Sequence, residues 1–319
     1  MHRLWTLLLS FVLSVSLTGC GGEPQPPTAP AEVPGYQQTE TTTPAATNGT
    51  QDDAVGWDSL NYSYTTQELP AQVDGHAIYG EIYIPEEAGE PMPAVIFSHG
   101  YGGTHSIGAP YAQALAQKGF VVYCYDFRGG SNSSRSDGSP LEMSVFTEKA
   151  DLEAVLSMIQ SLDYVDRERI FLMGTSQGGM VSAMTGAAHP EEIRGMMLLY
   201  PAFCIPDNAR VQFGALESVP EQVSFFSWLT VGRRYVEDVW DYDVYADVST
   251  YDKDVLILHG DRDGTVDLSY SQRAIEEYPA AELKVIEGAG HGFSGGNFDL
   301  AMEYILDCGY RDKSTGPKI

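Results

Sequence analysis

From about residue 60 onward the chain alternates short, continuous apolar runs with longer segments of helical spacing, and this alternation limits the fold more than any other feature. Residues 94–97, 120–125, 170–173, 196–199, 255–258 and 283–286 are short, uniformly apolar runs and read as strands buried on both faces. Residues 107–118, 145–162 and 180–188 read as helices between them. In the second, Val145, Leu152, Val155, Leu156 and Ile159 fall on one face. Two earlier strands, 60–66 and 77–84, are predicted to open the domain as a hairpin-like pair. Buried strands separated by helices predict an α/β fold with a mostly parallel central sheet flanked by helices. Ligands in such sheets bind beyond the carboxyl ends of the strands, so reactive residues are expected directly after them. One stretch breaks the alternation: residues 203–252 are too long for a connecting loop and rich in aromatics. They are predicted to form an inserted cap, most of whose aromatics build its own small core.

The N-terminus follows different rules. Arg3 precedes an apolar run from Leu4 to Leu17, and Leu17-Thr18-Gly19-Cys20 ends it. The run is short for a membrane span and fits an export signal, residues 1–19, ending as a lipobox does. Cys20 is then expected to carry acyl chains that hold the protein on the outer face of a bacterial membrane. Residues 20–56 are rich in Pro and Thr with few large apolar side chains, and are expected to form a flexible tether. The catalytic domain is expected to span 57–319. Eighteen Lys and Arg against 44 Asp and Glu give a net charge of −26, which repels nucleic acid and argues against contact with a membrane other than through the anchor. Cys124 is expected to be a buried small hydrophobe. A Cys204–Cys308 disulfide is open to an exported chain but not decided by sequence. No cysteine or histidine spacing suggests zinc.

The chemistry concentrates at strand ends. Gly174-Thr175-Ser176-Gln177-Gly178 fits G-x-S-x-G, with an apolar strand before it and a helix after it. That context selects Ser176 as a nucleophile, since the motif presents a serine on a sharp strand-to-helix turn. A serine hydroxyl needs a base, and the base needs a carboxylate to orient it. Of the seven histidines, His291 lies in a glycine-rich loop after the strand at 283–286 and C-terminal to both other members. Asp261, Asp263 and Asp267 compete for the carboxylate. Asp263 is favoured by its reach past the strand end, and the other two are expected to cap the turn and the next helix. The backbone amides of Gln177 and of Tyr101, in the loop after the strand at 94–97, are expected to form an oxyanion hole.

His99-Gly100-Tyr101-Gly102-Gly103, Gly174-Thr175-Ser176-Gln177-Gly178-Gly179, His259-Gly260-Asp261-Arg262-Asp263 and Gly290-His291-Gly292-Phe293 together resemble bacterial feruloyl (cinnamoyl) esterases. The resemblance runs from about Leu60 to Leu306, and Asp126-Phe127-Arg128-Gly129-Gly130 with Ser139-Pro140 adds to it. It implies an α/β-hydrolase fold with a modest cap after the sixth sheet strand. It further implies hydrolysis of a small-molecule or polysaccharide-linked ester through an acyl-enzyme, with no metal or organic cofactor. Serine aminopeptidase-like, monoacylglycerol lipase-like and acetyl esterase-like enzymes share that core. A serine peptidase is therefore the second expectation. A binding protein that keeps the fold without the chemistry is the third, and the presence of all three triad candidates weighs against it.

Overall fold

The computed structural model describes residues 57–87 and 91–310. The expected leader, lipidated Cys20 and tether lie outside the described residues. The domain opens with β1 (Tyr64–Glu68), β2 (Ala71–Val73), β3 (His76–Ile78) and β4 (Gly80–Pro85). Here the structure corrects the expected pair of strands. The single strand expected at 77–84 is two, and β2 and β3 form a separate hairpin. The reason is local: Asp74 and Gly75 both have positive φ, the backbone a tight two-residue turn demands. β1 then pairs antiparallel with β4 rather than closing on its neighbour.

The remaining elements follow the alternation. They are β5 (Met92–Ser98), α1 (Ala109–Gln117), β6 (Val121–Tyr125), α2 (Val145–Gln160), β7 (Val165–Thr175), α3 (Gln177–Ala188) and β8 (Gly195–Leu199). The segment expected as a cap supplies α4 (Ile205–Phe213), β9 (Gln222–Phe226), β10 (Leu229–Gly232), α5 (Arg234–Glu237) and α6 (Val244–Val248). The chain ends with β11 (Asp254–Gly260), α7 (Leu268–Glu277), β12 (Ala281–Ile286) and α8 (Gly296–Gly309).

Eight strands form the main sheet in the order β1-β4-β6-β5-β7-β8-β11-β12. From β6 to β12 every neighbour is parallel, and β1 and β4 are antiparallel at one edge. The uniformly apolar strands have a simple cause: alternate side chains enter different cores. Ala94, Ile96, Ile170 and Leu172 join the cluster that includes α2 and α3. Val95, Phe97, Phe171 and Met173 join the opposite cluster with α1 and α8. Both faces are covered, so neither tolerates polar alternation. Helix α2 is started by a capping box in which Ser144 and Thr147 satisfy each other's backbone amides.

Within the segment expected as a cap, β9 and β10 pair as a short hairpin. Phe225 contacts Phe213 and Tyr235 edgewise or at a tilt, so part of the aromatic content does form a local core. Helix α6 packs instead against α3 of the body, where the buried Tyr251 hydroxyl donates to the Ile193 carbonyl. Cys204 is a free buried thiol packed with Ala202 and Val266, while Cys308 belongs to the cluster around α8. No Cys204–Cys308 disulfide forms. Cys124 is buried, as expected. Among the described residues, no helix is long and apolar enough to cross a membrane.

Candidate active site

Ser176 sits between β7 and α3 with φ 51° and ψ −119°, a strained conformation for a residue with a side chain. The flanking glycines are required by close approach. A Cβ on Gly174 would lie 2.2 Å from the Gly178 carbonyl oxygen, and one on Gly178 would lie 2.2 Å from the Ser98 carbonyl oxygen. The turn is thus wedged against the end of β5, and only hydrogen fits at either position.

The Ser176 Oγ lies 3.0 Å from His291 Nε2, and His291 Nδ1 lies 2.7 Å from Asp263 Oδ2. A carboxylate oxygen accepts, so Nδ1 carries the proton and Nε2 turns its lone pair to the serine hydroxyl. The Asp263 carboxyl group is fully buried, whereas the His291 side chain remains 23% exposed. Asp263 Oδ1 accepts from the Thr265 and Val266 amides, which fixes the carboxylate independently of the histidine. The three side chains come from the loops after β7, β11 and β12, as the strand-end rule anticipates.

Other residues considered for these roles lie elsewhere. Asp267 caps α7 by accepting from the Ser269 amide. Asp261 accepts from the Gly288 amide over 2.6 Å and so ties the β11 loop to the loop that carries His291. His189 pairs with Glu192 and Glu153, and His105 with Asp126. His99 is buried, with its ring accepting from the Phe127 amide. Burial pushes its pKa down to about 4 and keeps it neutral.

Tyr101 and Gln177 flank the serine. Gln177 opens α3, so its amide has no intrahelical acceptor. Among the described backbone hydrogen bonds, neither the Gln177 nor the Tyr101 amide has an acceptor. Both residues line a cavity of about 370 Å³ that also reaches Ser176 and, from the inserted segment, Ile205, Phe225 and Tyr235. None of its lining residues is charged. A second cavity, of about 340 Å³, meets the first at Ser176 and is lined by His291, Tyr200, Phe226 and Trp228.

Four further residues shape the site and were missed by motif reading. His259, at the end of β11, lies behind Asp263: its Nε2 is 3.0 Å from the Val266 carbonyl and 3.3 Å from Asp263 Oδ2. The carbonyl can only accept, so Nε2 bears hydrogen and Nδ1 accepts from Ser271. Burial lowers the His259 pKa, which favours this neutral form. Tyr200, at positive φ just after β8, lays its ring edgewise on His291 with 4.7 Å between centroids. The Gln177 side chain donates to Glu148 Oε2 and accepts from the Tyr235 hydroxyl. A signal for Glu148 was present in the sequence, since it falls on the apolar face of α2 between Val145 and Leu152.

Residues 89–238 match the family model described as serine aminopeptidase, S33. The chain is 25% identical over 238 residues to a putative carbamate hydrolase, RutD, of a Caulobacter species, covering 63% of this chain and 84% of the relative. Among solved structures, Est1E from Butyrivibrio proteoclasticus with ferulic acid bound is similar at TM-score 0.68 and 25% identity. That match covers 75% of this chain and 98% of Est1E. Acetyl xylan esterase 1 from a Thermoanaerobacterium species shares the fold at TM-score 0.56 and 20% identity, covering 80% and 91% of the two chains.

Proposed function

We propose that this chain, a hydrolase of the α/β-hydrolase superfamily, cleaves carboxylic esters through an acyl-enzyme on Ser176. The observation that carries the reading is the hydrogen-bonded series from Ser176 through His291 to Asp263, set where two cavities free of carboxylate, lysine and arginine side chains meet. Ser176 Oγ adds to the ester carbonyl while His291 Nε2 takes its proton. The Tyr101 and Gln177 amides receive the oxyanion. The C–O bond then breaks as His291 returns the proton to the departing alcohol. Water, activated by the same histidine, releases the acid and restores Ser176. No step requires a metal or organic cofactor.

The larger cavity falls at the small end of ligand sites, which span about 300–1,000 Å³. Its aromatic lining suits a hydroxycinnamate or another small acyl group, and the likeness to Est1E with bound ferulic acid supports that class. A peptidase acting at a free amino terminus is less supported. No carboxylate lines either cavity to hold an ammonium group. Export, with a lipid at Cys20 and a tether to the enzyme, belongs to the same proposal and places it outside the cell against ester-bearing substrates. Labelling with radioactive palmitate tests that part, with Cys20→Ser expected to abolish the signal.

The function is tested by fluorophosphonate labelling and by hydrolysis of methyl ferulate, short p-nitrophenyl esters and amino-acid anilides, with Ser176→Ala as control. Ester turnover and labelling, both lost in the variant, are expected. Anilide cleavage exceeding ester cleavage would reassign the protein as a peptidase.

A further inference from the structure

The two cavities that meet at Ser176 are not equivalent, and the difference assigns their occupants. His291 lines the smaller one and does not line the larger. The proton that His291 Nε2 takes from Ser176 must go to the oxygen of the departing alcohol as its bond to the acyl carbon breaks. The alcohol therefore leaves through the cavity that His291 lines, and the acyl group occupies the other. This deduction rests on the ester-hydrolase reading above.

The alcohol-side cavity carries an unusual rim. Trp228 is 57% exposed, Ile107 42% and Phe226 39%. Large apolar side chains gathered at one opening mark a binding surface more often than chance exposure. Phe226 and Trp228 stack with 4.5 Å between centroids and 14° between planes, so the indole is held as a flat platform. Its edge is braced on the loop after β5, where a Cβ on Gly102 would lie 2.7 Å from the indole nitrogen. Asn132 fixes the backbone by donating to the Trp228 carbonyl. No carboxylate, lysine or arginine lines it.

We propose that this cavity is a leaving-group subsite, in which Trp228 stacks on a neutral cyclic alcohol with a flat C–H or π face. Two sources share that chemistry: the sugar ring of a glycan ester, and an aryl-methyl alcohol. A small alcohol such as methanol cannot reach the platform and gains nothing from it.

The test uses the full chain and four ferulate esters of unactivated alcohols: methyl, cyclohexylmethyl, benzyl and the primary hydroxyl of a methyl arabinofuranoside, with the matching acetates as a second series. The quantity read is the ratio of kcat/KM for each ring alcohol to that for the methyl ester. A ratio of tenfold or more for at least one ring class is expected, falling to near one in Trp228→Ala and only partly in Trp228→Phe. Preference for the arabinoside identifies the glycan source, and preference for benzyl the aryl source. Ratios near one in the unaltered protein, or ratios unchanged in Trp228→Ala, overturn the proposal. Failure of the ester-hydrolase reading has a different signature: neither series is turned over and Ser176 takes no fluorophosphonate.

Discussion

The Tyr235 hydroxyl, on α5 of the cap, donates a 2.5 Å hydrogen bond to the side-chain oxygen of Gln177, the residue that follows the serine of the elbow. Gln177 in turn donates to Glu148 on α2 over 2.7 Å, and all three groups are buried. A parallel tie exists on the other side of the site, where the Tyr101 hydroxyl donates to the Leu229 carbonyl of β10. Both residues proposed to supply oxyanion amides are therefore anchored through their side chains to the cap. The segment expected as a cap and the amides proposed as the oxyanion hole are thus tied together.

Tyr235→Phe removes one of these ties while keeping the ring. It leaves the Gln177 side-chain oxygen buried without its donor, a defect of about 1–3 kcal/mol. Part of that cost is expected to appear as a displaced Gln177 amide. The expected result is a fall in kcat of about tenfold with KM nearly constant, because the interaction gained only in the transition state is the one disturbed. A rise in KM at constant kcat would show instead that Tyr235 acts only as a wall of the cavity.

Asp263→Asn and Asp261→Asn separate two carboxylates that sequence alone held in competition. Asp263 holds the His291 Nδ1 proton, and an amide there presents the wrong tautomer to the serine, which costs on the order of 10⁴-fold in kcat in comparable triads. Asp261 instead anchors the His291 loop through the Gly288 amide. Its asparagine variant keeps an acceptor oxygen and is expected to lose less than tenfold. Steady-state kinetics on both variants would reject the assignment if Asp261→Asn were the more damaging.

What the sequence reveals here depends on how local each cause is. The elbow was legible because its glycines are forced by contacts within a few residues and with one neighbouring strand, as the crowding at Gly174 and Gly178 shows. The parallel strands were legible because burial on both faces erases polar alternation. The β2–β3 hairpin was missed although Asp74-Gly75 is a turn signal, because the flanking runs are only three residues each. His259 and Tyr200 were not recognised as site residues, since their roles arise from packing across strands distant in sequence. Tyr235 is the extreme case: it lies 58 positions from Gln177, and no periodicity links them.

Ser176→Gly tests the strain in the elbow. A side chain held in that region of φ and ψ costs about 1–3 kcal/mol, and glycine relieves it at an entropic cost of about 0.5–1 kcal/mol. The glycine variant is expected to be inactive yet more stable by about 1 kcal/mol, with Tm raised by roughly 2–4 °C. Ser176→Ala loses the same hydroxyl but keeps a Cβ, so it shows no such gain. Equal melting of the two variants would mean that the elbow stores no measurable strain.

Glu148→Gln tests the protonation state of the buried network. Burial is the main cause that pushes the Glu148 carboxyl well above the usual range; nearby Asp151 adds to it and the hydrogen bond from Gln177 opposes it. One carboxyl oxygen has no partner among the described residues, which an ionised group could not tolerate. The folded protein therefore retains this proton, while the unfolded chain releases it above about pH 4.5. Below that pH the group is protonated in both states, and its neutral form costs folding nothing extra. As pH rises, the unfolded state gains by up to about 1.4 kcal/mol per unit until the folded-state pKa is reached. Glutamine mimics the neutral acid without titrating. The stability of Glu148→Gln relative to the unaltered protein is thus expected to climb as pH rises above about 4.5 in denaturant melts. Asp151, raised to about 6 mainly by burial, is present in both proteins, so it enters the difference only through its repulsion of an ionised Glu148. A difference that stays flat with pH would mean that Glu148 is ionised in the fold, and the Gln177 side chain would then be held by a charge rather than by a neutral acid.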